Sequence, residues 1–143
     1  MKISFHGAAR TVTGSKHLVQ LDNGENFLLD CGLFQGMGKD TDTLNASFGF
    51  DASKIDFVIL SHAHIDHSGL LPKLVKEGFK GNIFCTPATK SLTEILLEDS
   101  AMIQRDDAKF SNKRRVKQGL PLIEPLYDLD DVSLVLPLLT MVE

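Results

Sequence analysis

Cysteine is scarce in this 143-residue chain: Cys31 and Cys85 stand far apart and no C-x-x-C pair occurs. That argues against a disulfide framework and a thiolate metal site, and reads as two reduced, mostly buried thiols in a cytosolic protein. Long apolar runs are lacking too, so no segment reaches membrane-spanning length. The opening Met1-Lys2-Ile3-Ser4-Phe5-His6 meets a polar histidine too soon for a signal peptide. Cytoplasmic residence and no membrane partner are the expectation. An excess of positive charge is also absent. Lys and Arg total 15 against 19 Asp and Glu, a formal net charge of -4, so the chain is no polycation that grips nucleic acid by bulk charge. Repeats and low-complexity tracts are missing. What is present, 43% hydrophobic and 24% charged residues, suits one soluble globular domain and excludes a disordered tail or a fibre.

The first third reads as strands and turns. Ile3 and Phe5 alternate with polar neighbours, Gly7-Ala8-Ala9 breaks the pattern, and Leu18-Val19-Gln20-Leu21 is extended again. Asp22-Asn23-Gly24 predicts the turn of a hairpin whose returning strand is Asn26-Phe27-Leu28-Leu29-Asp30. Gly32 to Phe50 predicts a surface loop with at most a short helix, and Ile55 to Leu60 a strand buried in a sheet covered on both faces. Helices then alternate with strands. Leu70, Leu71, Leu74 and Val75 mark a helix stopped by Gly78, and Asn82 to Thr86 is the next strand. Pro87 opens a long helix whose Leu92, Ile95, Leu96, Met102 and Ile103 are expected to pack on the sheet. A last helix is expected to start at the cap Asp128, ahead of Leu129, Val132, Val135 and Leu136. The class is α/β.

Between Arg105 and Lys117 six basic residues face two acidic ones, so this segment is +4 and the remainder -8. The plain reading is a solvated helix face or exposed loop. The alternative is contact with phosphates, with Lys113, Arg114 and Arg115 as the candidates.

Chemistry concentrates in Ser61-His62-Ala63-His64-Ile65-Asp66-His67-Ser68-Gly69, which holds three of the five histidines directly after the apolar strand. Imidazole nitrogen and carboxylate oxygen are ligands that zinc or manganese accepts. While the chain is extended, His62 and His64 point the same way, because side chains repeat every two residues. Where it turns towards a helix, Asp66 and His67 swing to a second position. Such a motif feeds two adjacent metals, and two metals sharing a water make hydrolysis the reaction class. Asp66, with one oxygen for metal and one for a proton, is the candidate catalytic residue. A polar turn whose histidines only satisfy backbone groups is the competing reading.

At this segment the chain resembles the metallo-β-lactamase superfamily. Three stretches, Gly7 to Leu18, Leu28 to Gly36, and Ser61 to Pro72, are similar to its β-CASP branch of RNA-processing nucleases. The resemblance implies the αββα sandwich, a mixed sheet flanked by helices, and two zinc ions, with manganese as an alternative. It implies that His62 and His64 bind the first metal and Asp66 and His67 the second. It gives Asp30, at a strand end, the role of holding the ligand loop by hydrogen bonds. It also implies an RNA phosphodiesterase; hydrolysis of a small thioester, ester or lactam, or a non-catalytic scaffold, are the alternatives. His6 and His17 read as sheet histidines, and Phe34, Phe48 and Phe50 as core before base-stacking groups. After His67 there is no histidine, whereas the family's site needs a further histidine and a bridging aspartate. Residues 1–143 are therefore expected to be the N-terminal half of the sandwich, without the β-CASP insertion and the C-terminal half. Such a half is expected to bind metal weakly, hydrolyse little, and expose a sheet edge that invites homo-oligomers.

Overall fold

The computed structural model describes residues 1–142. β1 (Lys2–Phe5), β2 (His17–Gln20) and β3 (Asn26–Leu29) form an antiparallel meander, with Ile3 opposite Val19 and Val19 opposite Phe27. Gly24 turns β2 into β3 at φ 93, a left-handed conformation that glycine adopts without steric cost. β4 (Phe57–Ile59), β5 (Asn82–Cys85) and β6 (Leu139–Met141) add parallel to β3, so one mixed sheet runs β1-β2-β3-β4-β5-β6.

Parallel neighbours need crossover connections, and helices supply them. α1 (Thr41–Ala46) lies between β3 and β4, and α2 (Ile65–Ser68) and α3 (Leu71–Lys76) between β4 and β5. α4 (Pro87–Lys117) and α5 (Leu129–Val135) fill the last crossover. Pro87 opens α4 and Asp128 caps α5, as the sequence predicts. Thr86 caps α4 by accepting from the Thr89 N–H, ahead of Pro87, and Asp128 and Asp131 form a reciprocal capping box on α5.

Because side chains alternate along a strand, register sorts the sheet into two faces. Leu18, Leu28, Val58, Ile83 and Leu139 share one face and are buried under Leu70, Leu74, Leu97, Val132 and Val135 of the helical layer. The other face carries a row of rings. Phe27 stacks on Phe57 at 4.8 Å, and Phe57 meets Phe84 edge-on at 5.8 Å. Beside this row Leu29 and Ile59 are exposed, and none of these residues belongs to the buried core cluster. The expectation of a strand covered on both faces is thus corrected. β4 is three residues long and, among the described residues, every helix in the core cluster packs on the Val58 side, leaving Ile59 exposed on the other.

A second correction concerns α4. Leu92, Ile95, Met102 and Ile103 are exposed, and the helix buries Thr89, Thr93, Leu97, Ser100, Ala101 and Ala108 instead. Small residues let this helix approach closely, and polar ones find partners there. Ser100 Oγ lies 2.8 Å from Tyr127 Oη, and the Leu126 N–H donates to Gln104 Oε1 at 3.0 Å. Burial pushes the Tyr127 phenol up to about 12. Cys31 and Cys85 are both free and buried, as expected.

Candidate metal centre

Ser61 to Gly69 leaves the end of β4 and turns at once into α2, so its side chains collect at one end of the sheet. The backbone there is stitched from two sides. Ser15 N–H donates to the Asp66 carbonyl at 2.8 Å, Cys31 N–H to that of His67 at 2.8 Å, and Leu33 N–H to that of Ile65 at 3.0 Å. Gly32 N–H donates in turn to the Ser15 carbonyl at 2.9 Å, joining the two flanking segments. Gly32 has to be glycine, because a Cβ there would overlap the Asp66 carbonyl. Ser68, fully buried, donates back to the Ala63 carbonyl at 2.9 Å and closes the turn.

Two imidazoles are oriented by their Nδ1 atoms. His67 Nδ1 lies 2.8 Å from Asp30 Oδ2, and His62 Nδ1 lies 2.9 Å from Ser61 Oγ. Ser61 is itself held by Asp30, which accepts from its N–H at 2.8 Å and its hydroxyl at 2.9 Å. With Nδ1 engaged, Nε2 is the nitrogen each ring has left for another partner. The rings of His62 and His67 are 4.0 Å apart, those of His62 and His64 are 4.8 Å apart, and His67 Nε2 is 3.5 Å from Asp66 Oδ2. His62, His64, Asp66 and His67 therefore gather in one place.

These donors suit zinc in kind, being imidazole nitrogen and carboxylate oxygen. Among the described residues no three His, Cys, Asp or Glu side chains form a ready group for one ion. In kind and in proximity the four side chains are compatible with part of a metal shell.

Other candidates fall elsewhere. Arg115 is only partly available, since its Nε donates to the Pro121 carbonyl at 2.5 Å; Lys113 and Arg114 are exposed near the end of α4. Phe34 and Phe48 are buried, so packing is their role. His6 sits edge-on to Phe50 and His17 edge-on to Phe5. A cleft beside the Leu33 to Gln35 segment is lined by Asp42, Asp107 and Glu124 and by no cation, a poor place for a polyanion. Sequence reasoning missed Lys16. It is buried, its Nζ donates to the carbonyls of Gly14 at 2.9 Å and Gly32 at 2.7 Å, and it lies 4.2 Å from the Phe34 ring centroid. Burial pulls its ammonium down to about 8. Nothing local in the sequence marks a buried lysine; Ser61, by contrast, directly precedes the motif.

The sequence profile of the metallo-beta-lactamase superfamily matches residues 12–140. The chain is 47% identical over 126 residues to Ribonuclease TTHA0252 of Thermus thermophilus, a match covering 88% of this chain and 28% of that protein. It is 34% identical over 134 residues to Integrator complex subunit 11 of Danio rerio, covering 88% of this chain and 22% of that one. Among solved structures, the Rm3 metallo-beta-lactamase aligns with 99% of this chain and 42% of its own, at 20% identity and a TM-score of 0.48. The chain thus spans well under half the length of the curated relatives it matches.

Proposed function

Because this chain belongs to the metallo-β-lactamase superfamily, whose members are metal-dependent, we propose that it is the N-terminal, ligand-bearing part of a β-CASP-type RNA phosphodiesterase. The single observation that carries this reading is the grouping of His62, His64, Asp66 and His67 on a loop braced by Asp30. The match to a named ribonuclease over most of the chain supports RNA as the substrate class.

His62 and His64 would hold one ion and Asp66 with His67 a second, with the remaining ligands coming from residues this chain does not contain. Zinc bound there would supply Lewis acidity and a water acidified towards neutral pH. The protein's own part is positional. Asp30 fixes the His67 ring through Nδ1 and, through Ser61, the His62 ring. Asp66 offers a carboxylate oxygen to accept the proton of a water that attacks a backbone phosphorus. Gly32 and Ser15 keep the Asp66 backbone in register beneath that site.

The open sheet face supports the half-domain reading. Phe27, Phe57 and Phe84, with Leu29 and Ile59 beside them, form an apolar surface of the kind a second sheet covers in a sandwich. A polypeptide carrying this segment at the length of its relatives, given labelled single-stranded RNA and a small ester in parallel, is expected to cleave the RNA and to lose that activity with Asp66→Ala. Cleavage of the ester alone favours the small-molecule branch of the superfamily.

A further inference from the structure

Two lysines are buried in this fold, and they are held differently. Lys73, 6% exposed, pairs with Glu77 one helical turn on and lies 4.5 Å from the Phe48 ring centroid. Lys16, 1% exposed, also lies over a ring, that of Phe34, but among the described residues it has no carboxylate partner. A buried cation without an opposite charge is costly, and an apolar side chain of the same length would fill the space without that cost. Its partners are instead the buried carbonyls of Gly14 and Gly32, which among the described residues no backbone N–H reaches.

Those carbonyls belong to the two segments that grip the ligand loop. Next to Gly14, Ser15 N–H donates to the Asp66 carbonyl at 2.8 Å; next to Gly32, Cys31 N–H donates to the His67 carbonyl at 2.8 Å. Between the segments themselves there is one backbone bond, from Gly32 N–H to the Ser15 carbonyl at 2.9 Å. Lys16 adds a side-chain bridge of two charge-assisted bonds, the stronger kind. An ammonium has three donors, and the two carbonyls with the Phe34 ring at 4.2 Å occupy them. The ring is seated too, since a Cβ at Gly14 would come within 2.6 Å of it.

We infer that Lys16 is a positioning residue for the metal centre: its ammonium clamps Gly14–Ser15 to Cys31–Gly32, and the clamp sets where the Asp66 and His67 backbone sits. The consequence for metal rests on the reading of that centre given above; the clamp itself does not.

Two measurements on the purified chain separate them. Amide hydrogen exchange without zinc reads the clamp. Lys16→Met keeps the length and removes the donors, and is expected to speed exchange at the Ser15, Cys31 and Gly32 amides at least about tenfold more than at those of β3 and β4. A residue that only supports the fold speeds both groups alike. Zinc titration reads the consequence, and Lys16→Met is expected to lower affinity at least about tenfold, as when an orienting partner of a ligand is lost. Lys73→Met is expected to leave both readouts at wild type. Lys16→Gln retains two N–H donors on a shorter chain, is expected to lie between wild type and Lys16→Met, and supplies the same readouts if the latter does not fold. Exchange at the three amides that speeds no more than in β3 and β4, or zinc affinity equal to wild type, overturns the inference. A wild-type chain that binds no zinc while the three amides still respond overturns the metal-centre reading, and with it the role of Lys16 there.

Discussion

His67 Nδ1 lies 2.8 Å from Asp30 Oδ2, and Asp30 itself sits at φ 61, in the left-handed region that carboxylate side chains enter only occasionally. Such backbone persists where the surroundings over-determine it. Here Asp30 N–H donates to the Ile59 carbonyl at 3.0 Å, while the carboxylate takes up Ser61 and His67. The end of β3 thereby fixes the aim of two rings that follow β4.

Asp30→Asn keeps the size of the side chain and removes its charge. Zinc affinity is expected to fall about 10–100-fold, the usual effect of losing the group that orients a ligating histidine, as measured by calorimetric titration. Asp30→Ala also strips a buried acceptor from the Ser61 N–H and is expected to cost about 1–3 kcal/mol in denaturant unfolding.

Two glycines provide a contrast. A Cβ at Gly36 meets nothing within 4 Å, so Gly36→Ala is expected to cost only about 1–2 kcal/mol for its left-handed φ of +70. Gly32→Ala forces the Asp66 carbonyl away. It is expected to lower Tm further than Gly36→Ala and to weaken zinc binding as well.

Lys16 makes stability depend on pH in a defined window. Its ammonium is held at about 8 in the fold against 10.5 for a free lysine. Between those values the unfolded chain binds more protons than the folded one, so this residue's contribution to stability rises with pH, and below about 8 its burial cost is constant. From pH 8 to 9 the gain is about 1 kcal/mol. The buried Cys31 thiol, raised to about 12 from 9.0, acts in the opposite sense above pH 9. The clean measurement is therefore the stability difference between wild type and Lys16→Met, which is expected to move by about 1 kcal/mol in favour of wild type across that unit.

Neighbouring leucines report on the two sheet faces. Leu28 is fully buried and Leu29 is 37% exposed. Leu28→Ala is expected to cost about 2–5 kcal/mol and Leu29→Ala under about 1 in this chain, read from urea midpoints. Equal costs would mean that the second face is covered.

The parts legible in the sequence were those with local causes. Pro87 opens α4 and Asp128 caps α5 where the sequence puts them, Gly78 stops α3 at φ 113, and Asp22-Asn23-Gly24 makes the hairpin. The clustering of His62, His64, Asp66 and His67 was legible as well, because they are close in sequence before they are close in space. What escaped depends on distant partners. Apolar periodicity in α4 is consistent with two faces, and only the fit of Thr93, Leu97 and Ala101 against the core selects the inward one. Phe57 and Ile59 look like core from their type, yet among the described residues neither joins the core cluster, because their side of the sheet has no helix of that cluster against it. Lys16 is buried by Gly14, Gly32 and Phe34, the last two far from it in the chain.

The account rests on four side chains holding metal between them, and a zinc titration of the isolated chain addresses that most directly. Wild type is expected to bind zinc weakly, as a partial shell does, and His62→Ala or His67→Ala to reduce the affinity at least about tenfold. Zinc binding undiminished in both variants would contradict the assignment.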